Sequence, residues 1–291
     1  MNDMSRIDML IPPEMAAKAE DAGVNKASMG WRNMLLLSIL AGAFISLGAI
    51  FSTTVTAGAA QQLPYGVVRL LGGLVFCLGL ILVVIAGAEL FTGNNLIIMA
   101  WSSRKITTFQ VLRNWVIVYT GNFVGALMTS VLMLYTGQYT FGNGVIGLNV
   151  LNIANAKCSL GFFEALMLGI MCNALVCLAV WLCFSARTTT DKILSIIFPI
   201  TAFVTAGFEH SVANMYFIPI GILVKKAAPE GFWLAINKTA EEYPSLTWDN
   251  FLVANLLPVS IGNIIGGAVL VGLVYWFVYI RRSSVSLFSK V

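Results

Sequence analysis

Two neighbouring ionisable residues, Glu209 and His210, interrupt the otherwise uncharged segment AGFEHSVANMYFIP, in a chain that is 58% hydrophobic and only 10% charged. His210 is the only histidine among the 291 residues. Because an ionisable side chain inside an apolar membrane segment is costly, such a residue indicates a functional site. An imidazole in this setting can bind an anion and can exchange a proton with it.

Proton transfer to a small carboxylate is the chemistry that His210 predicts. In water, the transfer from imidazolium to a carboxylate costs about 3 to 4 kcal/mol, from reference pKa values of about 6.5 and 4. Burial raises the pKa of a carboxylic acid and lowers that of an imidazole, so the cost falls in a dry constriction and its sign can reverse. We therefore expect His210 to protonate the anion, which then crosses the apolar part of its path as a neutral acid.

The segment around His210 has a counterpart earlier in the chain. AGAELFTGNN, which starts at residue 86, and AGFEHSVANM, which starts at residue 206, share Ala-Gly-x-Glu with an Asn five positions after the Glu. GNFVGA at 121 and GNIIGG at 262 form a second pair in the same order. A fainter pair matches Gly42 and Ser46 with Gly169 and Asn173. These matches indicate two copies of one structural unit.

Each copy contains three apolar segments of about 20 residues or more, the length that spans a bilayer as a helix. The six segments lie near residues 33–57, 70–100, 114–136, 160–185, 193–224 and 251–280. Since three is an odd number, the second copy is inverted in the membrane, which is the plan of many transporters. The sequence therefore predicts an all-α membrane protein with six transmembrane helices in two inverted three-helix repeats.

The second helix of each repeat is predicted to be broken. Polar residues that do not favour a helix follow Glu89 in LFTGNN and Glu209 in HSVAN, and such backbone is tolerated in the membrane only where it faces protein or a cavity. We expect a hydroxyl, Thr92 or Ser211, to cap each second half-helix, whose N–H groups then suit an anion. We expect Glu89 and Glu209 to be structural, accepting hydrogen bonds from N–H groups of the broken backbone.

The distribution of Lys and Arg predicts that both termini are cytoplasmic. With the N-terminus inside, twelve of the 17 basic residues fall on the cytoplasmic side and five outside. Lys157, one of the five, is expected to attract anions to the outer mouth. The N-terminal segment, which Pro12 and Pro13 open, is expected to lie along the membrane surface. The predicted divisions are a cytoplasmic amphipathic segment 1–30, the first repeat 31–136, an outer connection 137–159, the second repeat 160–281 and a cytoplasmic tail 282–291.

Five motifs distributed over essentially the whole chain carry a family resemblance: AELFTGNN, GNFVGAL, MCNALVCLAVWL, GFEHSVANMYFIP and GNIIGGAVLVGLVYW. In this order they resemble the formate/nitrite transporter family, and among its branches the bacterial formate channels. The resemblance implies an aquaporin-like fold, a homopentamer with one pore in each protomer, and a location in the inner membrane.

The resemblance also implies the residues of the pore. The central histidine of the family falls on His210, and the threonine that faces it falls on Thr92. The mid-pore asparagine falls on Asn173 and the outer lysine on Lys157. The apolar constrictions implied by the resemblance comprise Phe76, Leu80 and Phe203 towards the outside, and Leu90, Phe91 and Val176 towards the cytoplasm.

The predicted function is a channel or transporter for small monovalent anions, with formate first and nitrite, hydrosulfide, acetate and lactate as alternatives. A neutral-solute channel of the aquaporin kind stays open, although neither TGNN nor SVANM contains the Asn-Pro-Ala turn of that fold. A hydrolase is disfavoured because Ser211 directly follows His210, and adjacent residues on a helix do not face each other. We expect no enzyme activity, cofactor, metal or nucleic-acid partner, and we interpret the five cysteines as buried apolar residues.

Overall fold

The computed structural model describes residues 9–59 and 62–281, and the regular elements within these ranges are helical. In chain order the helices are α1 (Pro12–Ser28), α2 (Trp31–Thr56), α3 (Tyr65–Ala86), α4 (Ile98–Ser102), α5 (Thr108–Tyr135), α6 (Val145–Cys158), α7 (Phe162–Ser185), α8 (Thr189–Ala206), α9 (Ser211–Ala227), α10 (Glu230–Ile236) and α11 (Asn250–Ile280). Short 3₁₀ turns lie at Gly93–Ile97, Gln138–Thr140 and Ala240–Glu242. The predicted tail at 282–291 lies outside the described residues.

Within residues 9–59 and 62–281, six helices are long and apolar enough to cross a membrane, which confirms the predicted number of spans: α2, α3, α5, α7, α8 and α11. α5 begins at Thr108, before the predicted apolar segment, because the Thr107 hydroxyl accepts a hydrogen bond from the Gln110 N–H and caps the helix. α11 is α-helical over Leu257–Ile264 and π-helical on both sides of it. The predicted outer connection at 137–159 contains a helix of its own, α6.

The second spanning helix of each repeat is interrupted, as predicted. α3 ends at Ala86 with Gly87 in the left-handed region (φ 83°), and α8 ends at Ala206 with Gly207 in the same region (φ 79°). A glycine adopts this conformation without the steric cost that a Cβ atom brings. After the first break the chain forms a 3₁₀ turn and then α4, whereas after the second break it enters α9 directly.

The structure supports the two strong sequence matches between the repeats and corrects the faint one. The Glu89 N–H donates to the Leu37 carbonyl, and the Glu209 N–H donates to the Leu168 carbonyl. These bonds match Leu37 of α2 with Leu168 of α7. In this alignment Gly42, five residues after Leu37, corresponds to Asn173, five residues after Leu168. The pairing of Gly42 with Gly169 and of Ser46 with Asn173 was therefore wrong by one helical turn. Gly and small polar residues recur at turn spacing along both helices, so composition alone did not fix the register.

α1 begins at Pro12 as predicted, and it packs against the helical bundle. Its residues Met15, Ala16 and Ala19 are buried in a cluster with Met99 of α4 and Trp181 of α7. This face is made mostly of alanine and glycine, which lets the backbones approach closely. The bundle therefore has one end covered by α1, which we call the α1 side, and an opposite end at α6, which we call the α6 side.

The close approach between spanning helices gives a prediction for Gly125 and Gly266. A Cβ atom at Gly125 would lie 1.9 Å from the Ile39 carbonyl oxygen, and one at Gly266 would lie 2.1 Å from the Ile170 carbonyl oxygen. Because both obstacles are backbone atoms, we expect Gly125→Ala or Gly266→Ala to destabilise the protein by about 1–3 kcal/mol or more. Thermal unfolding in detergent measures the effect.

Gly231→Ala is the matched control, because a Cβ atom there meets nothing within 4 Å. Its change should stay within about 0.5 kcal/mol, as for most surface substitutions. Equal melting temperatures for all three variants would contradict the close helix contacts.

Candidate functional site

His210 and Thr92, which the sequence places in different repeats, lie in direct contact. The His210 Nε2 atom is 2.9 Å from the Thr92 hydroxyl oxygen. Both residues are buried, at 3% and 0% exposure, so water does not compete for this hydrogen bond. Each residue belongs to a segment that follows a break, and the contact therefore joins the two breaks at one point.

The second ring nitrogen of His210 fixes the tautomer. Its Nδ1 atom accepts a hydrogen bond from the Ala213 N–H at 3.0 Å, so this nitrogen carries no proton. A neutral imidazole then holds its proton on Nε2 and donates it to the Thr92 hydroxyl oxygen. The Thr92 hydroxyl keeps its own hydrogen for a further acceptor.

His210 is also the N-cap of α9, and this corrects the prediction that hydroxyls cap the half-helices. The Thr92 hydroxyl makes no capping bond, and Ser211 is already the first residue of α9. The Ser211 hydroxyl is buried without a hydrogen-bond partner in the described part of the chain. The reason is geometric, since the imidazole Nδ1 takes the Ala213 N–H that a serine or threonine cap would otherwise accept.

Two asparagines hold the broken backbone in place. Asn122 accepts the Phe91 N–H and donates to the carbonyls of Ser38 and Glu89 at 2.7 and 2.9 Å. Asn263 makes the corresponding three bonds in the second repeat, as it accepts from the backbone N–H of residue 211 and donates to the carbonyls of residues 169 and 209. Sequence analysis found both asparagines in the GN motifs but did not predict this role.

The carboxylate of Glu209 is surrounded by side-chain donors. Lys157 Nζ lies 2.6 Å from Oε1, while the amides of Asn214 and Asn255 donate to Oε2 at 2.6 and 3.2 Å. Asn255 also donates to the Lys157 carbonyl at 2.9 Å. The prediction that backbone N–H groups satisfy this carboxylate was wrong, because the asparagine amides reach it first. Lys157 lies in the last turn of α6 and forms an ion pair there.

Glu89 has a corresponding lysine and asparagine in the first repeat, so the prediction of backbone donors was wrong for this carboxylate too. Lys26 Nζ lies 2.6 Å from Oε1, Asn94 donates to Oε2 at 2.6 Å, and Asn114 contacts both Asn94 and the Lys26 carbonyl. Lys26 in α1 thus corresponds to Lys157 in α6. Sequence analysis missed Lys26, Asn114 and Asn255. The equal spacing of the two asparagines before the GN motifs was the available signal.

Two cavities enter the bundle from its two sides. The cavity on the α6 side has a volume of about 480 Å³ and is lined by His210, Lys157 and Glu209, together with Phe76 and Phe203. The cavity on the α1 side has a volume of about 600 Å³, and its lining includes the Lys26–Glu89 pair and the apolar residues Leu80 and Leu90. Each cavity therefore contains one lysine–glutamate pair and two of the residues predicted to form the constrictions.

Leu80 lies on the α1 side and not, as predicted, with Phe76 and Phe203. α3 carries both Phe76 and Leu80, and the rise of one helical turn between them moves Leu80 to the other cavity. Phe91 and Val176 are buried but line neither cavity. The ring of Phe91 packs edge-on against Tyr119 of α5, with the ring centres 4.9 Å apart.

Asn173 is also buried outside both cavities. Its amide nitrogen donates to the Thr92 carbonyl at 3.2 Å and to the Asn263 carbonyl at 2.6 Å. Both amide hydrogens are thus used on the backbone, and the remaining oxygen is an acceptor that does not suit an anion. This bonding pattern favours a structural tie between the first break and α11 over the predicted contact with substrate.

Within the two described ranges, no three His, Cys, Asp or Glu side chains lie close enough together to hold a metal ion.

A family model for formate/nitrite transporters matches residues 13–277. The chain belongs to the formate/nitrite transporter family. As a member of this family with six apolar spans, it is a multi-pass inner-membrane protein.

Two curated members of the formate/nitrite transporter family show the extent of the similarity. The chain is 47% identical to the formate channel FocA of Escherichia coli K12 over 276 residues, which are 95% of this chain and 96% of that protein. It is 38% identical to the formate channel FocB of the same organism, over 97% of this chain and 99% of the relative.

Solved structures of the formate/nitrite transporter family agree with the fold. A pentameric formate channel with formate bound superposes with a TM-score of 0.82 at 47% identity, covering 86% of this chain and 98% of that one. An ion channel of the family superposes with a TM-score of 0.76 at 28% identity, covering 91% and 98% of the two chains.

The double role of His210 gives a prediction about stability. In His210→Asn, the shorter amide still provides an oxygen for the Ala213 N–H, because asparagine is among the preferred N-cap residues. We expect the free energy of unfolding of His210→Asn to be higher than that of His210→Gln, or lower by no more than about 0.5 kcal/mol. The free energy of unfolding of His210→Ala should be about 1 kcal/mol lower than that of His210→Asn, as for the removal of a cap.

The measurement is thermal unfolding of the three purified variants in detergent. A melting temperature for His210→Ala equal to that of His210→Asn would show that the Nδ1 contact contributes no capping stability.

Proposed function

We propose that this protein is a formate channel, with one pore in each protomer of a homopentamer. The observation that carries the proposal is the Thr92–His210 pair between two cavities that each contain a lysine–glutamate pair. The similarity to formate channels, one of them a pentamer with formate bound, supports both the substrate and the assembly. The exposed apolar side chains of the spans, such as Phe109 and Phe198, fit contact with lipid or with neighbouring protomers.

The hydrogen bonds of the pair explain how it recognises an anion. His210 donates from Nε2 to the Thr92 oxygen, which leaves the Thr92 hydrogen available to a further acceptor. A carboxylate is acceptor-only when ionised, so this polarity suits formate. The two donors act in series, and hydrogen bonds in series polarise each other.

Proton coupling through His210, the mechanism predicted from the sequence, gains a structural condition. The imidazole is neutral in this arrangement, and it forms imidazolium only if Nδ1 gives up the Ala213 N–H. We therefore propose that His210 serves first as a neutral hydrogen-bond donor. A proton reaches the anion through His210 only in a state in which the cap of α9 has opened.

Apolar side chains restrict the path on both sides of this pair. Phe203 packs edge-on against Phe76, with the ring centres 5.8 Å apart, and lies parallel to the His210 ring at 5.9 Å. Leu80 and Leu90 border the cavity on the α1 side. We propose these four residues as the constrictions, because a small anion or its neutral acid passes such a gap more readily than a hydrated ion.

The positive-inside distribution supports a cytoplasmic location for the α1 side and for both termini. The cavity on the α6 side then opens to the outside. Under this orientation Lys26 and Lys157 serve the inner and outer mouths in the same way. The channel has no step of covalent chemistry to perform, and we propose that it is not an enzyme.

Flux into liposomes that contain the purified protein tests the proposal. We expect saturable formate entry that is faster at pH 5.5 than at pH 7.5 and that exceeds entry through empty liposomes at both pH values, with no entry of glycerol. Nitrite, hydrosulfide, acetate and lactate, measured in the same way, rank the alternative substrates. Entry of glycerol at the rate of formate would identify a neutral-solute pore instead.

Substitutions of Thr92 test the donor role. Thr92→Ala removes the hydroxyl and leaves the His210 Nε2 hydrogen without its acceptor, a loss worth about 1–3 kcal/mol for a buried group. We expect formate flux to fall about tenfold or more, and Thr92→Ser to retain most of it. Thr140→Ala, which changes an exposed threonine, is the control. Full flux in Thr92→Ala would remove Thr92 from the pore.

A further inference from the structure

The cavity on the α6 side contains a second cation besides Lys157. Among its described lining residues, the charged groups are Arg69, Lys157 and Glu209. Lys157 forms an ion pair with Glu209, in which Nζ lies 2.6 Å from Oε1. Its ammonium group also lies over the ring of Phe217, 5.5 Å from the ring centre. The charge that this pair leaves uncompensated in the cavity belongs to Arg69.

Arg69 lies in the second turn of α3 and reaches the end of α8. Its Nε donates to the Thr205 carbonyl at 3.2 Å, and one terminal nitrogen donates to the Val204 carbonyl. A guanidinium has five N–H donors, so three remain, and these make no hydrogen bond within the described part of the chain. The two bonds hold the plane of the guanidinium and leave the other edge available.

The break that carries His210 leaves room for this guanidinium. A Cβ atom at Gly207 would lie 3.2 Å from an Arg69 terminal nitrogen, so the glycine keeps that space open. Gly207 precedes His210 by three residues, and both line the same cavity as Arg69. A carboxylate bound at Arg69 would therefore lie in the same cavity as His210.

Neither topology nor repeat symmetry accounts for Arg69. Basic residues are preferred on the cytoplasmic side, and Arg69 lies on the opposite side under the proposed orientation. The lysines of the two mouths correspond between the repeats, but the position that matches Arg69, counted back from Glu209, is Thr189. The α6-side cavity therefore contains a cation that has no counterpart at the matching position of the other repeat.

We infer that Arg69 is the residue that captures the anion in the α6-side cavity and favours carboxylates there, whereas Lys157 mainly neutralises Glu209. This inference rests on the proposed anion-channel function. The planar guanidinium matches the two oxygens of a monocarboxylate, which a lysine ammonium does not. The capture raises the local concentration of anion at the entrance and leaves the later steps to Thr92 and His210.

The test is one-sided formate current through the full protein in a planar bilayer. For Arg69→Gln, we expect the formate concentration at half-saturation, with formate added on the α6 side, to rise about three- to tenfold, the size of a partly solvated charge contact. The value with formate added on the α1 side should change by less than half as much. The effect should shrink in high salt, which screens an accessible charge.

Two matched variants complete the comparison. Lys226→Gln removes an exposed positive charge at the same end of the bundle but outside the cavity, and it should leave half-saturation unchanged. Arg69→Lys should restore half-saturation at least partly, because the charge is retained. A lower maximum current and lower thermal stability of Arg69→Gln with unchanged half-saturation would mean that Arg69 only caps α8, and this would overturn the inference.

A second measurement uses the wild-type protein and does not depend on the folding of a variant. Of the arginines that the structure describes, Arg69 alone lies on the α6 side, since Arg32, Arg104, Arg113, Arg187 and Arg281 lie near the other end. A membrane-impermeant phenylglyoxal added on the α6 side should reduce formate current, and formate should slow the modification.

The outcomes separate the two proposals. Modification that formate does not slow, or that leaves the current unchanged, would contradict capture at Arg69. Wild-type protein without saturable formate current would defeat the proposed function and this inference together. Saturable wild-type current with an unaltered Arg69→Gln variant would defeat this inference alone.

Discussion

The constraint on which the structure depends is that a backbone broken inside a membrane must find its hydrogen-bond partners within the protein. Asn122 and Asn263 meet this requirement. Each accepts one N–H and donates to two carbonyls of the broken segment and of the preceding helix. His210 satisfies a further N–H at the start of α9. These bonds satisfy backbone N–H and carbonyl groups that an unbroken helix would pair internally. The chain can therefore adopt a non-helical conformation near the point where Thr92 and His210 meet.

The charged groups beside the breaks are satisfied in the same way. A buried carboxylate without partners is too costly to keep ionised, but Glu89 and Glu209 each accept from a lysine and from an asparagine amide. Carboxylates bound in this way hold the segments of the two breaks in place. The Thr92–His210 pair then provides hydrogen-bond donors, and Arg69 gives the α6-side cavity a net positive charge. Both features favour an anion.

Close helix contact lets the two repeats bring these groups together. Gly125 and Gly266 bring their helices against the backbone at Ile39 and Ile170, closer than any side chain would allow. This contact places Asn122 and Asn263, each one helical turn before its glycine, within reach of the breaks. A shift of one helical turn would move the asparagines away from the Phe91 and Ser211 N–H groups, so packing and polar satisfaction specify the same register.

The sequence by itself determined the spans, the presence of a break in each of the two Glu-bearing segments, the repeat motifs, and the selection of Thr92 and His210. Hydropathy, glycine and the matched Glu and Asn positions are local signals, and local physics is sufficient to interpret them. Tertiary structure decided the partners. The carboxylates pair with Lys26 and Lys157, and His210 caps α9 in place of a hydroxyl. Leu80 lines the cavity on the α1 side, and α1 packs against the bundle. These features depend on which atoms from distant segments arrive within about 3 Å of each other, the range of a hydrogen bond. Sequence spacing does not contain that distance.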